Sequence, residues 1–168
     1  MVDNPPLIAI IGRSKTGKTT LIEKLIEVFK YQGYRIGTVK HHLADFEFDL
    51  KGKDSWRHRQ AGAEVVIMSS PTQLAFIEKR KQELSLAEIQ RLFENKVDLI
   101  LAEGFKKSRY PKIEVYRKKE GENGPLAKKI EGVIAVVTDE NINCALPLFR
   151  WSEIERLAEF IKERLNLK

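Results

Sequence analysis

Five consecutive apolar residues, Leu7-Ile8-Ala9-Ile10-Ile11, open the patterned part of the chain and stop at Gly12. So short and uniform a run leaves no polar side for water, which predicts a strand covered on both faces. Beyond a glycine-rich turn, Leu21, Ile22, Leu25, Ile26 and Phe29 recur at the spacing that gathers side chains on one helix face. Gly33 closes that helix after Tyr31-Gln32, and residues 35–40, Arg-Ile-Gly-Thr-Val-Lys, return to strand character. Strand, turn, helix and strand make a βαβ unit, which requires parallel strands and a right-handed crossover.

The pattern continues after an irregular, acidic-aromatic stretch at 41–53. Asp54 to Ala61 predicts a short helix stopped by Gly62, and 64–69 and 72–78 predict two strands around Ser70-Pro71. Ser85 and Glu88 have capping-box spacing, with Leu84 and Ile89 at staple positions, so a helix starts there. Strands come next at 96–103, ended by Gly104, at 112–117 and at 132–137. A last helix is expected from Ser152, boxed with Glu155, its buried stripe made of Ile154, Leu157, Ala158 and Ile161. Residues 120–125 read as a surface loop, and no repeat or linker interrupts the pattern. The expectation is one nucleotide-binding domain over 1–168: α/β, three-layer, P-loop NTPase-like, with a mainly parallel sheet flanked by helices.

Composition narrows the setting. Of 168 residues, 42% are hydrophobic and 32% charged, the balance of a folded domain and not of a disordered chain. No apolar run nears the ~20 residues of a membrane span, and Met1 to Pro6 carry no basic leader. The one cysteine, Cys144, cannot form an internal disulfide, so a reducing, cytoplasmic home is expected. The formal charge of +6 admits phosphate-rich partners without choosing among them. Its basic residues gather at 51–59, 106–109 and 117–119, where many are ordinary solvated charges.

The turn after the first strand carries the chemistry. Gly12-Arg13-Ser14-Lys15-Thr16-Gly17-Lys18-Thr19 fits G-x-x-x-x-G-K-[ST] at every fixed position. Chance would match those positions in on the order of one per cent of chains this long, and the strand-to-helix setting lowers that further. Glycines let the backbone wrap closely enough to aim N–H groups at phosphate oxygens, and the helix start adds unpaired donors and a positive dipole end. Gly12, Ser14, Lys15, Thr16, Gly17, Lys18, Thr19 and Thr20 are the expected nucleotide contacts. Lys18 should reach the β- and γ-phosphates, and the Thr19 hydroxyl should ligate Mg2+.

A carboxylate is expected beside that metal. Asp98 and Glu103 lie ~16 Å apart at ~3.3 Å per strand residue, and ligands of parallel sheets sit beyond the strands' carboxyl ends. Glu103 is at that end, whereas Asp98 is at the far end and reads as structural. The loop from Lys40 to Asp54 leaves the same edge and offers His41, His42, Asp45, Glu47 and Asp49. Adjacent histidines in extended chain point apart, which disfavours one ion held by both His41 and His42. No serine sits in a nucleophile elbow.

Four stretches together resemble the molybdopterin-guanine dinucleotide biosynthesis adaptor family, MobB. They are Gly12 to Thr20; Val39-Lys-His through Asp49 to Gly52-Lys-Asp-Ser55; Ala61-Gly-Ala63; and Leu99-Ile-Leu-Ala-Glu-Gly-Phe-Lys106 with Pro111-Lys-Ile113. The resemblance runs from about Leu7 to the final helix, and D-x-x-G-K-D-S plus E-G-F-K is far more specific than the loop alone. It implies a homodimer that binds GTP with Mg2+ and hydrolyses it slowly at best. It also implies a role in attaching GMP to molybdopterin, with that cofactor and a MobA-like guanylyltransferase as partners. By position, Glu103 becomes the Walker-B-like acid and Asp49 the switch-like acid, both catalytic and both, with Thr19, metal-side. Lys53, Asp54 and Ser55 fill the Gly-Lys-Asp-Ser segment, whose neighbour Arg57 could meet a second anion. Lys15 departs from the family's usual middle glycine, which would cost about 1 kcal/mol if the position needs positive φ. His42-Leu43-Ala44 departs from a histidine-rich run, and Lys51 stands where proline is common.

Base choice is weakly written. The N-K-x-D guanine signature is missing, but Asp139, after the 133–137 strand, stands where a carboxylate could accept from guanine N1 and N2; aspartate there is also a common turn residue. Two other classes use the same loop. A small-molecule kinase would employ Arg109 or Arg117 as a lid arginine. A nucleic-acid-dependent ATPase would draw on Ser55-Trp-Arg-His-Arg59, although nucleic acid is not the expected partner. A metallochaperone GTPase fits poorly with a single cysteine.

Overall fold

In the computed structural model, residues 4–42, 47, 49–118 and 124–167 are described. Asp45 and most of the 120–125 loop lie outside them. In chain order the elements are β1 (Leu7–Ile11), α1 (Lys18–Tyr31), β2 (Ile36–Lys40), α2 (Asp54–Gln60), β3 (Val65–Ser69), β4 (Leu74–Glu78) and α3 (Leu86–Arg91). Then come β5 (Leu99–Glu103), β6 (Lys112–Val115), a 3-10 turn at Leu126–Lys128, β7 (Val133–Val137), β8 (Leu148–Phe149) and α4 (Ile154–Leu165).

Contacts divide the chain into two units. The first holds residues up to His41 and from Ser85 onward, and the second is the insertion 42–84. In the first unit, six strands pair in the order β2-β5-β1-β6-β7-β8, each neighbouring pair parallel. The second unit holds α2 and an antiparallel β3–β4 hairpin.

All five residues of β1 are buried, because β1 lies mid-sheet with helices over both faces. Ile8, Ile10, Leu99, Leu101, Ile113 and Val137 face a core completed by Leu21, Leu25 and Phe29 of α1 and Leu157 and Ile161 of α4. Leu7, Ala9, Ile11, Ile100 and Ala102 face the opposite way, toward Leu86 and Ile89 of α3 and Ala127 of the 3-10 turn. The alternation of side chains along each strand thus feeds two cores, giving three layers.

Two charged residues of β6 are buried on the α3 face. Lys112 is 1% exposed, and its Nζ donates to the carbonyls of Ser108 (2.6 Å), Tyr110 (3.0 Å) and Glu131 (3.0 Å). Burial pulls its pKa below the ordinary lysine value, with the Glu131 charge opposing. The Glu114 carboxylate accepts from the backbone N–H groups of Leu126 and Ala127, both at 2.7 Å, and so caps the 3-10 turn.

One expectation needs correction, and one strand is additional to those expected. The α3 capping box is present, with Ser85 Oγ accepting from Glu88 N and the Glu88 carboxylate from Ser85 N. The one expected at Ser152 is not: α4 begins at Ile154 with Glu153 as N-cap. The Glu153 carboxylate instead accepts from Arg150 N (2.8 Å) and Arg156 Nη1 (2.7 Å), closing a turn that displaces the box. β8 has only two residues, too few for a periodic signal, and pairs with β7 as the sixth strand.

Lys112→Met would leave three carbonyls without the ammonium donor and bury no charge. We expect it to cost about 3 kcal/mol, seen as a lower urea midpoint at unchanged slope. An unaltered midpoint would show that solvent replaces the ammonium.

Candidate nucleotide-binding site

β1 passes directly into Gly12, and α1 starts at Lys18, so loop N–H groups and helix start meet at the carboxyl edge of the sheet. Two positions there admit only glycine. At Gly12, φ is 155° and a Cβ would stand 2.5 Å from the Val115 carbonyl oxygen and 2.8 Å from Thr16 Oγ1. Gly17, the N-cap of α1, has φ 102°, and its Cβ would meet the Trp151 ring at 3.0 Å. The loop is tied internally, since Thr16 Oγ1 (3.0 Å) and Lys18 Nζ (2.8 Å) both donate to the Arg13 carbonyl. Arg13 Nη1 reaches the Gly124 carbonyl at 3.0 Å, joining the loop to the segment capped by Glu114. Lys15 has φ 60°, so this departure from glycine does occupy a left-handed position.

Glu103 ends β5, the neighbour of β1. Thr19 Oγ1 donates to its Oε2 at 3.1 Å, and Lys40 Nζ, from the end of β2, lies 3.7 Å from Oε1. The Glu103 carboxylate is only 14% exposed, and its backbone carbonyl accepts from His41 N at 3.0 Å. A hydroxyl and a carboxylate meeting beside the phosphate loop are the hard oxygen donors that Mg2+ takes. Asp98, at the opposite edge, pairs with Arg35 at 2.7 Å, and hydrogen bonds from Arg35 hold its carboxyl below the ordinary range.

Asp139 comes just after β7. Its Oδ1 accepts from Trp151 N at 3.1 Å, and its carbonyl accepts from Arg150 Nη1. Arg150 Nη2 also donates to Asn141 Oδ1 at 3.1 Å, while buried Thr138 accepts from Glu140 N at 3.0 Å. The ends of β7 and β8 are therefore cross-linked. Asp139 and Trp151 share a cavity of about 750 Å3 with Ser14, Lys15, Gly17, Lys18, Thr19 and Thr20. Lys40, Glu103 and Arg117 complete its wall. Four basic side chains face two carboxylates there, which suits a polyanion.

Of the expected loop residues, Ser14, Lys15, Gly17, Lys18, Thr19 and Thr20 share this cavity with Glu103 and Asp139, whereas Gly12 and buried Thr16 lie behind its wall. Asp49 belongs to the inserted unit, where Ser55 Oγ donates to its Oδ1 at 3.0 Å and Arg59 Nη1 lies 3.4 Å from Oδ2. The spacing D-x-x-G-K-D-S is the span of that Asp49–Ser55 bond. Lys40 and Trp151 are wall residues beyond those expected, and Arg117 lines the cavity wall where the sequence offers it as a lid arginine. The signal for all three was position, since each ends or closely succeeds a parallel strand. Among the described residues, no three His, Cys, Asp or Glu side chains cluster as a metal site, and no helix is long and apolar enough to cross a membrane.

Lys15→Gly would remove the left-handed strain. The variant is expected to be about 1 kcal/mol more stable, read as a raised thermal midpoint. A lower midpoint would mean that the Lys15 side chain offsets its own backbone cost.

Comparison with known proteins agrees with this geometry. The family model described as molybdopterin guanine dinucleotide synthesis protein B, MobB, matches residues 7–139. A molybdopterin-guanine dinucleotide biosynthesis adapter protein of Escherichia coli is 37% identical over 161 residues, 94% of this chain and 92% of that protein. Its counterpart in Haemophilus influenzae is 35% identical over 162 residues, 96% and 90% of the two chains. A crystal structure of molybdopterin-guanine biosynthesis protein B superposes with a TM-score of 0.75 at 33% identity, covering 95% of this chain and 99% of that one. The structure of Bacillus subtilis MobB gives 0.74 at 28%, covering 95% and 98%. With the P-loop type of α/β sheet, its glycine-dependent loop and this match over most of its length, the chain belongs to the MobB family.

Proposed function

We propose that this protein is an adapter in molybdopterin guanine dinucleotide synthesis that binds GTP with Mg2+ and supports transfer of GMP to molybdopterin by a guanylyltransferase. The observation that carries the reading is the single cavity joining phosphate loop, Thr19–Glu103 pair and Asp139. Loop N–H groups, Lys15 and Lys18 would hold the phosphates, with Ser14, Thr16 and Thr20 beside them. Thr19 and Glu103 would hold Mg2+, which supplies charge neutralisation at the β- and γ-phosphates. Glu103, engaged by Thr19 and Lys40, is a metal-side ligand in this reading, and hydrolysis is slow at best. Asp49 is an acid within the inserted unit. Since Ser55 and Arg59 engage its oxygens, the metal assignment rests on Thr19 and Glu103.

Asp139 gives guanine its advantage. Trp151 N–H takes one oxygen, and the other can accept from guanine N1–H and N2–H. Adenine presents a lone pair at N1, which the carboxylate repels. Exposed Lys106 and Lys107 after β5, and Arg117 and Lys118 after β6, surround this edge with positive charge suited to anionic molybdopterin. A cytoplasmic setting accords with that partnership.

Dimerisation belongs to the same proposal. In the β3–β4 hairpin, Ile67 pairs with Phe76 and Ser69 with Leu74, and Val65 alternates onto the same side, so four large apolar side chains share one face. Ile67 (57% exposed), Leu74 (72%) and Phe76 (59%) meet water there, a surface a second copy would cover.

Titration calorimetry should show GTP binding that Mg2+ strengthens, preference over ATP of about tenfold or more, and loss of most affinity in Lys18→Ala. Asp139→Asn should erase the preference. Equal affinity for ATP in the intact protein would sink the guanine assignment, and no binding of either nucleotide would sink the whole reading. Sedimentation should report a dimer at micromolar concentration that Ile67→Lys with Phe76→Lys converts to monomer. A monomeric wild type would refute the dimer.

A further inference from the structure

We propose that Trp151 is the stacking platform for the nucleotide's purine base, an assignment that rests on the GTP-binding reading. Trp151 lies beyond residue 139, where the family match ends. The residue touches two parts of the cavity, one through its ring and one through its backbone. The ring edge meets Gly17, where a Cβ would be 3.0 Å from both Cζ2 and Cη2, and the residue's N–H donates to Asp139 Oδ1. A base that shows its edge to Asp139 while its phosphates fill the loop must cross the space between Asp139 and Gly17, and the indole borders that space.

The ring is held in advance. It packs against the core formed with α1 and α4, while Arg150 before it is bonded to Asp139, Asn141 and Glu153. Little side-chain freedom is therefore left to lose on binding, which favours affinity. Simple core filling does not account for the residue. Phe149, Ile154 and Leu157 already close that end of the core. Trp151 stays half-buried as the one aromatic, among the described residues, on a cavity otherwise lined by charged and small residues. Such a ring suits the face of an aromatic base.

The chain has two tryptophans, so Trp56→Phe leaves Trp151 as the sole indole reporter. That background is mild, since the buried Trp56 Nε1 has no hydrogen-bond partner among the described residues. The protein would be titrated with GTP and with inorganic tripolyphosphate, both with Mg2+, recording heat and tryptophan emission together. GTP is expected to quench emission along the same isotherm as the heat, whereas tripolyphosphate gives heat without comparable quenching. In the wild-type background, Trp151→Ala should weaken GTP about tenfold or more and leave tripolyphosphate within about twofold, with Trp151→Phe in between. GTP heat without an emission change, or equal losses for both ligands in Trp151→Ala, would overturn the stacking role alone. Absence of heat from both ligands would overturn the nucleotide reading, and this proposal with it.

Discussion

The parallel pairing of β1 with β5 on one side and β6 on the other is the constraint on which the site depends. Parallel pairing turns the carboxyl ends of β2, β5, β1, β6, β7 and β8 to one edge. Each strand end then delivers a residue or loop to the cavity: Lys40, Glu103, the loop at Gly12, Arg117, Asp139 and Trp151. Reversing one strand would send its contribution to the edge where Asp98 and Arg35 pair. Burial of β1 on both faces enforces the arrangement, because a slip of one residue would exchange the side chains feeding the two cores.

Close packing at the loop leaves little room for substitution, yet the loop tolerates Lys15. Gly12 lies so near the Val115 carbonyl that a Cβ cannot fit, a limit set by the neighbouring strand. Lys15 faces a limit set only by its own backbone, a cost of about 1 kcal/mol that a cavity-lining charge can offset when a polyanion binds. Buried polar groups extend the support outward. Glu114 caps the 3-10 turn, and Arg13 reaches the adjoining Gly124 carbonyl, so the loop is braced by a carboxylate on β6. Lys112 performs a similar service at the amino end of that strand, satisfying three carbonyls that apolar packing would leave orphaned.

Glu103 shows how one side chain serves fold and site together. Its backbone carbonyl accepts from His41, while its carboxylate meets Thr19 and Lys40 at the surface of the cavity. Lys40 lies against Oε1 and the Thr19 hydroxyl against Oε2, so the two contacts divide the carboxylate between them. Family membership agrees with this economy, since the E-G-F-K stretch contains the strand end, the carboxylate and Gly104, whose N–H donates to the Ile10 carbonyl.

Local signals in the sequence determined the βαβ start, the glycine-dependent turn between β1 and α1, the α3 capping box and the position of Glu103, not Asp98, at the carboxyl edge. Each depends on neighbours within a few residues or on the polarity of one strand. Left-handed backbone at Lys15 was legible as a condition, and its φ of 60° decided it. The start of α4 at Ile154 is local too, since Glu153 accepts from Arg150 N three residues back and takes over from Ser152, a competition the box spacing does not reveal. Only tertiary structure could recruit the two-residue β8, which exists because β7 offers it an edge. The same holds for Trp151 against Gly17 and for Glu114 beneath residues 126–127. Those contacts join residues far apart in sequence, and no periodicity records a pairing between segments until the sheet brings their ends together.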